Sequence, residues 1–178
     1  MKNDSTKSHQ AAILDQFSRQ ARPFSEQPAH SQEAFLNLIL EMSGTGPEDT
    51  VLDVACGRGT LPCYYAKHFG ARVTGVDLAD QAVDLAQRLS AGLGIPARFL
   101  RSDVYHLPEV LDEQFDIVFC SYGILHWLRD LKRWAQVIHH FLKPGGIFYM
   151  AEFHPFAYVF DDRQEATELR VHYPYFNS

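Results

Sequence analysis

The stretch Val51-Leu-Asp-Val-Ala-Cys-Gly-Arg-Gly-Thr60 passes from an apolar run into a glycine-rich turn. Asp53 closes the run, and Gly57 and Gly59 shape the turn. Lacking a Cβ, a glycine lets the backbone bend tightly and approach a ligand closely. A dinucleotide would ask for a third glycine three residues after the second, where this chain has Pro62. A pyrophosphate would also prefer a helix start free of acid. Asp53 instead suits a ligand that carries an ammonium group, reached directly or through water. Asp77 lies 24 residues further on, at the end of the next apolar run. An acid there suits a pair of ribose hydroxyls by the logic of nucleotide-binding folds; its plain alternative is a turn or cap residue. Asp103 follows a third run and has the same plain alternative.

These residues need strand ends to hold them. Val51–Val54, Arg72–Val76, Ala97–Leu100, Phe115–Cys120 and Ile147–Ala151 read as strands. Between them Leu61–Phe69 and a segment with Val83, Ala86 and Leu89 read as helices, the latter with Asp80 as N-cap. Asp130–Leu142 predicts a further helix with Leu131, Trp134, Val137, Ile138 and Phe141 facing inward, ended by Lys143-Pro-Gly-Gly146. Ahead of the first strand, Ala11–Phe17 and Ser31–Met42 predict helices. Strands alternating with helices imply crossover units, hence a doubly wound α/β fold with a parallel sheet covered on both faces.

The chain of 178 residues suffices for one domain with a real core. Its net charge of −6 and lack of a Lys/Arg run argue against a nucleic-acid partner. No apolar run reaches membrane-spanning length. The polar N-terminus is no secretory signal. Cys56, Cys63 and Cys120 form neither a disulfide framework nor a zinc motif, which points to a reducing cytoplasm and no bound metal. Cys56 and Cys63 read as packing residues, and the neighbours His139 and His140 as surface residues or partners of a helix C-terminal dipole, not metal ligands.

The motifs together resemble class I S-adenosylmethionine-dependent methyltransferases of the small-molecule, quinone-biosynthesis kind. Asp53-x-Ala-Cys-Gly-x-Gly59 resembles the first motif of that family, and Val73-Thr-Gly-Val-Asp-Leu78 the second. Phe99-Leu-Arg-Ser-Asp-Val104 is similar to the third. Phe115-Asp-Ile-Val-Phe-Cys120, running into Leu125-His-Trp127, matches the fourth strand, and Leu142-Lys-Pro-Gly-Gly-Ile147 the turn before the fifth. The resemblance implies S-adenosylmethionine as cofactor, held by Asp53, Ala55, Cys56, Gly57, Gly59, Asp77, Leu78, Asp103, Val104 and Cys120. It places the ribose at Asp77, the adenine amino group at Asp103 and the adenine ring between Leu78 and Val104. The family often has glycine where Ala55 stands; the methyl group is tolerable if φ stays negative. Arg58 replaces a usually small residue and is expected to face solvent.

The implied acceptor is a small molecule. His126 is either on the substrate side or a loop-packing residue, and His154 either a base or a pocket wall; neither is assigned as catalytic. The chain divides into a polar tail over 1–10, a helical lid or cap over 11–46, a cofactor-binding core over 47–152 and an aromatic-rich extension over 153–178. Phe17–Phe24 is expected to close over the cofactor. The family's sheet has seven strands, of which this chain supplies one to five. That leaves the fifth strand as an apolar edge, to be covered by a continuation of the chain, by a second copy as a homodimer, or by the extension itself.

Overall fold

The computed structural model describes residues 37–38, 41–154, 156, 159–160, 168 and 170–176. Five strands form one parallel sheet: β1 (Thr50–Val54), β2 (Arg72–Asp77), β3 (Ala97–Arg101), β4 (Phe115–Ser121) and β5 (Leu142–Ala151), in the order β3-β2-β1-β4-β5. The strand order reverses direction between β1 and β4, which makes the carboxyl end of β1 the topological switch where such sheets open a ligand crevice.

Among the described residues, three helices cover the sheet: α1 (Thr60–Phe69), α2 (Asp80–Leu93) and α3 (Leu131–Phe141). Leu52, Val54, Val76 and Val118 point to one face and pack against Trp134, Val137, Ile138 and Phe141 of α3. Val51, Val73, Ile117 and Phe119 point to the other face, against Tyr65 of α1. Cys63 of α1, Val83 and Ala86 of α2 and Phe99 of β3 close the same layer. Each large apolar side chain among them contributes roughly 1.5–3 kcal/mol when fully buried, and the inner strands β1, β2 and β4 are buried on both faces.

The helices stop where glycine permits it. Gly70 and Gly94 end α1 and α2 in the left-handed conformation, and their N–H groups return to carbonyls of the last turn. Asp130 caps α3, its Oδ1 accepting from the Arg133 N–H at 2.9 Å. Two details differ from the sequence reading. Asp80 is the first residue of α2 and not its cap; Ala79 holds that position, and Asp80 pairs with Arg101 at 2.7 Å. Leu131 is exposed although its spacing puts it on the face of Trp134 and Ile138, because it is the first residue of α3, at the end of that face.

The fifth strand begins earlier than Ile147. Leu142 pairs with Phe115, and the register resumes at Ile117 with Ile147, so Lys143–Gly146 form a bulge within the strand. Ile147, Phe148 and Met150 are exposed along it.

Candidate cofactor site at the switch point

Asp53 sits in the middle of the sheet, paired in register with Gly75 of β2 and Phe119 of β4. It is 1% exposed, and neither carboxylate oxygen has a hydrogen-bond partner. Burial pushes its pKa well up, and the nearby Asp77 carboxylate adds to the rise. A buried carboxylate with no partner is expensive, so the turn that follows holds a carboxylate in need of a cation.

That turn is left-handed at three residues: Ala55 (φ 65°), Gly57 (φ 54°) and Gly59 (φ 80°). The condition that made alanine acceptable at 55, a negative φ, is therefore not met. The methyl group is accommodated because Ala55 faces solvent, at a backbone cost of roughly 1–2 kcal/mol. The Cys56 N–H donates to the Val76 carbonyl at 2.9 Å, which folds the turn over the end of β2.

Asp77 closes β2 and organises the site. Its Oδ2 accepts from the Gly57 N–H at 2.9 Å and its Oδ1 from the Ala79 N–H at 2.9 Å. Burial raises its pKa more than the Ala79, Gly57 and Leu78 N–H groups lower it. Each carboxylate oxygen can accept twice, so acceptor capacity remains for two hydroxyls. Asp103 follows β3, and its Oδ1 accepts from the Tyr105 N–H at 3.0 Å, capping the short 3-10 turn Val104–Glu109. Asp103 thus plays the cap role weighed from sequence. Leu78 and Val104, which stand next to Asp77 and Asp103, are partly buried.

The two glycines of the turn differ. A Cβ at Gly57 would meet nothing within 4 Å. A Cβ at Gly59 would stand 2.7 Å from the Ala86 Cβ and 2.8 Å from Phe99 Cε1. Gly75 is crowded by the same Phe99 ring at 2.8 Å and by Cys56 Sγ at 2.9 Å. Gly57 therefore leaves space for a ligand, whereas Gly59 and Gly75 make room for Phe99. Cys120 is fully buried in the core with Val54 and Val76. Arg58 does not point freely to solvent: it is partly buried, and its Nε donates to Thr60 Oγ1 at 3.1 Å.

A second loop meets the first at the same edge, since Cys120 of β4 pairs with Val54 of β1. Tyr122 there has φ 37° and Gly123 φ 88°. Glu152, just past β5, accepts from Gly123 N–H (2.6 Å) and Phe153 N–H (2.8 Å) at Oε1, and from Ile124 N–H (3.0 Å) and Leu125 N–H (3.3 Å) at Oε2. Sequence reasoning passed over Glu152, although an acid at a strand end was the signal that had singled out Asp53 and Asp77. His126 lies in the 3-10 turn Leu125–Trp127; its side chain is outside the described residues. His154 is exposed, and its Nδ1 accepts from the Phe156 N–H at 3.2 Å. The lid segment Phe17–Phe24 is outside the described residues. Among the described residues there is no cluster of three or more His, Cys, Asp or Glu able to hold a metal, and no helix long and apolar enough to cross a membrane.

The donor set suits S-adenosylmethionine. Asp53 provides an orphaned buried carboxylate for its cationic end, Gly57 an open cradle, and Asp77 spare acceptor capacity for vicinal hydroxyls. Fold and site together define a doubly wound, Rossmann-like α/β domain built to bind a nucleoside-bearing cation. Residues 51–146 match the family described as methyltransferase domain. The chain belongs to that family, the class I methyltransferases. A malonyl-[acyl-carrier protein] O-methyltransferase of Hamiltonella defensa is 32% identical over 139 residues, which are 78% of this chain and 51% of that protein. The human mitochondrial protein called arginine-hydroxylase NDUFAF5 is 35% identical over 102 residues, 57% of this chain and 28% of its own length. Among solved structures, a methyltransferase of Thiobacillus denitrificans in complex with S-adenosyl-L-homocysteine superposes with a TM-score of 0.58 and 26% identity, over 67% of this chain and 48% of that one. The chain spans about half, or less, of the length of the curated relatives it matches.

Proposed function

We propose that this chain is the cofactor-binding part of an S-adenosylmethionine-dependent methyltransferase acting on a small-molecule acceptor. The observation that carries the reading is Asp53, whose two buried oxygens lack partners at the switch point of the sheet. The cofactor supplies a methyl group already activated on a sulfonium, which a nucleophilic oxygen, nitrogen or carbon of the acceptor takes in line. The protein's part is therefore to position and to exclude water. Asp53 holds the cationic end and Asp77 the ribose hydroxyls. Asp103 is assigned to the adenine amino group, with Leu78 and Val104 flanking the ring. Ala55, Cys56, Gly57 and Gly59 shape the cradle. The segment 11–46 closes over it, and the reaction belongs in the cytoplasm.

Calorimetric titration with S-adenosylmethionine, S-adenosylhomocysteine and NAD tests the cofactor. The first two are expected to bind and NAD not to; tighter binding of NAD would overturn the reading. Mass spectrometry of a metabolite mixture incubated with S-adenosylmethionine then tests the reaction. A product heavier by one CH2 is expected. A gain of one oxygen instead would align the chain with its hydroxylase relative.

A further inference from the structure

The carboxylate of Glu152 lies outside the cofactor-binding set, yet it is the most heavily hydrogen-bonded side chain at this edge. Four backbone N–H groups converge on it, three of them from consecutive residues of the loop after β4: Gly123, Ile124 and Leu125. The fourth, from Phe153, ties the carboxylate to its own backbone, so its place relative to β5 is set. Charge-assisted bonds of this kind are about twice as strong as neutral ones. Burial alone would raise the Glu152 pKa, but the four N–H donors outweigh it and hold the group ionised below the usual carboxylate range.

The clamp offsets a local strain. Tyr122 is a large side chain at φ 37°, a conformation that non-glycine residues rarely hold unless their surroundings impose it. On one side of Tyr122 the chain is fixed by its N–H, which donates to the Ala151 carbonyl at 2.7 Å. On the other side, Glu152 takes the next three N–H groups. The Tyr122 ring lies against Phe153, with centroids 4.8 Å apart. The strained residue is therefore held between two anchors, both at the end of β5.

The placement gives the clamp a purpose. Cys120 lies one residue before the strand end, beside Val54, and both Asp53 and Glu152 add to the rise that burial imposes on its thiol. The loop that Glu152 holds thus borders the crevice above Asp53. We propose that Glu152 is a positioning residue, which fixes the loop from Tyr122 to Leu125 as a wall of the cofactor crevice by capturing its backbone N–H groups. The purpose of the wall rests on the cofactor reading above; the clamp itself does not.

The test uses the full chain, with Glu152→Ala, Glu152→Gln and, as a control at the far end of the sheet, Lys143→Met. Amide hydrogen exchange is read without ligand, and S-adenosylhomocysteine affinity by calorimetry. In Glu152→Ala, protection at residues 123–125 is expected to fall roughly tenfold or more, while β1 to β3 stay protected. The dissociation constant for S-adenosylhomocysteine should rise about tenfold. Glu152→Gln keeps an acceptor but brings an NH2 against N–H donors, so it should recover only part of both effects. Unchanged exchange at residues 123–125 in Glu152→Ala would overturn the clamp. If Lys143→Met weakens the ligand as much as Glu152→Ala, the effect is general stability and the positioning role fails. If wild-type protein binds no S-adenosylhomocysteine, the cofactor reading falls with the wall's purpose, and the exchange result alone decides the clamp. Should Glu152→Ala not fold, Glu152→Gln carries both readouts.

Discussion

Two carboxylates at opposite ends of the sheet, Asp116 and Asp53, are treated in opposite ways. At the amino end, Asp116 Oδ2 accepts from Lys143 Nζ at 2.8 Å and from Thr50 N–H and Oγ1 at 2.8 and 2.7 Å. Lys143, with the Thr50 donors, holds the Asp116 carboxyl far below its ordinary range. At the carboxyl end, Asp53 is buried with no partner and its pKa is driven the other way. The amino end has a cleft of its own, about 400 Å³ along Thr50, Arg72 and Arg98. There Arg98 pairs with Glu113 at 2.7 Å. A cleft alone does not mark the site here; unmet polar demand does. The contrast follows from burial: a carboxylate stays charged in a core only where a cation or hydrogen-bond donors complete it.

The largest effect should come from the glycines that separate packing from binding. Gly59→Ala brings a Cβ against Ala86 and Phe99 at a left-handed φ, and should cost about 2–4 kcal/mol of stability. Gly57→Ala meets open space, so it should cost only the backbone term of about 1–2 kcal/mol while weakening the ligand. Urea unfolding with and without S-adenosylhomocysteine measures both. Equal losses of stability would erase the distinction between the two positions.

Next is the comparison of Asp77 with Asp103. Asp77→Ala removes two structural N–H bonds and, on the proposed reading, the acceptor for the ribose hydroxyls. It should weaken S-adenosylhomocysteine about tenfold to a hundredfold. Asp103→Ala should do less. An unchanged dissociation constant for Asp77→Ala would count decisively against the ribose assignment.

The third test sets Asp53 against Asp116 through pH. Asp53 has a raised folded pKa, so the folded state binds the extra proton. Its contribution makes the free protein less stable as pH rises above about 4, the unfolded value. Asp116 has a depressed folded pKa, so its contribution is present above about 4 and is lost as pH falls below it. Asp53→Asn should remove the first slope, stabilise the ligand-free protein by about 1–2 kcal/mol and weaken the ligand. If thermal melts across pH 4–8 show the same slope in Asp53→Asn as in wild type, Asp53 is not the uncompensated group.

The smallest effect belongs to Ala55. Replacing it with glycine relieves the left-handed strain but adds unfolded-state entropy. A net gain of at most about 1 kcal/mol is expected, with ligand affinity unchanged; a loss in the denaturation midpoint would mean that the Ala55 methyl makes contacts worth more than the strain.

Much of this was legible before any fold was seen. The strands are short runs of Val, Ile, Leu and Phe set off by Gly and Asp, and residues of that kind can only be buried on two faces. Strand-end acids such as Asp53 and Asp77 stood out because they break those runs. The parallel sheet and its covering helices followed from the alternation itself.

Other features depend on neighbours far away in the chain. Nothing in the order of residues says that Phe99 fills the space beside both Gly59 and Gly75, since that contact joins three elements. The sign of φ at Ala55 was settled by a turn closed through the Cys56 to Val76 bond. The exposure of Leu131 was decided by where α3 lands on the sheet. Glu152 looks in sequence like any acid after a strand, and becomes a clamp only because β4 and β5 lie side by side and bring residues 123–125 to it. Local sequence therefore determined which residues are buried and where the chain turns, because those depend on nearby residue types. Only the tertiary structure decided which polar groups find partners, because that depends on which strand ends meet.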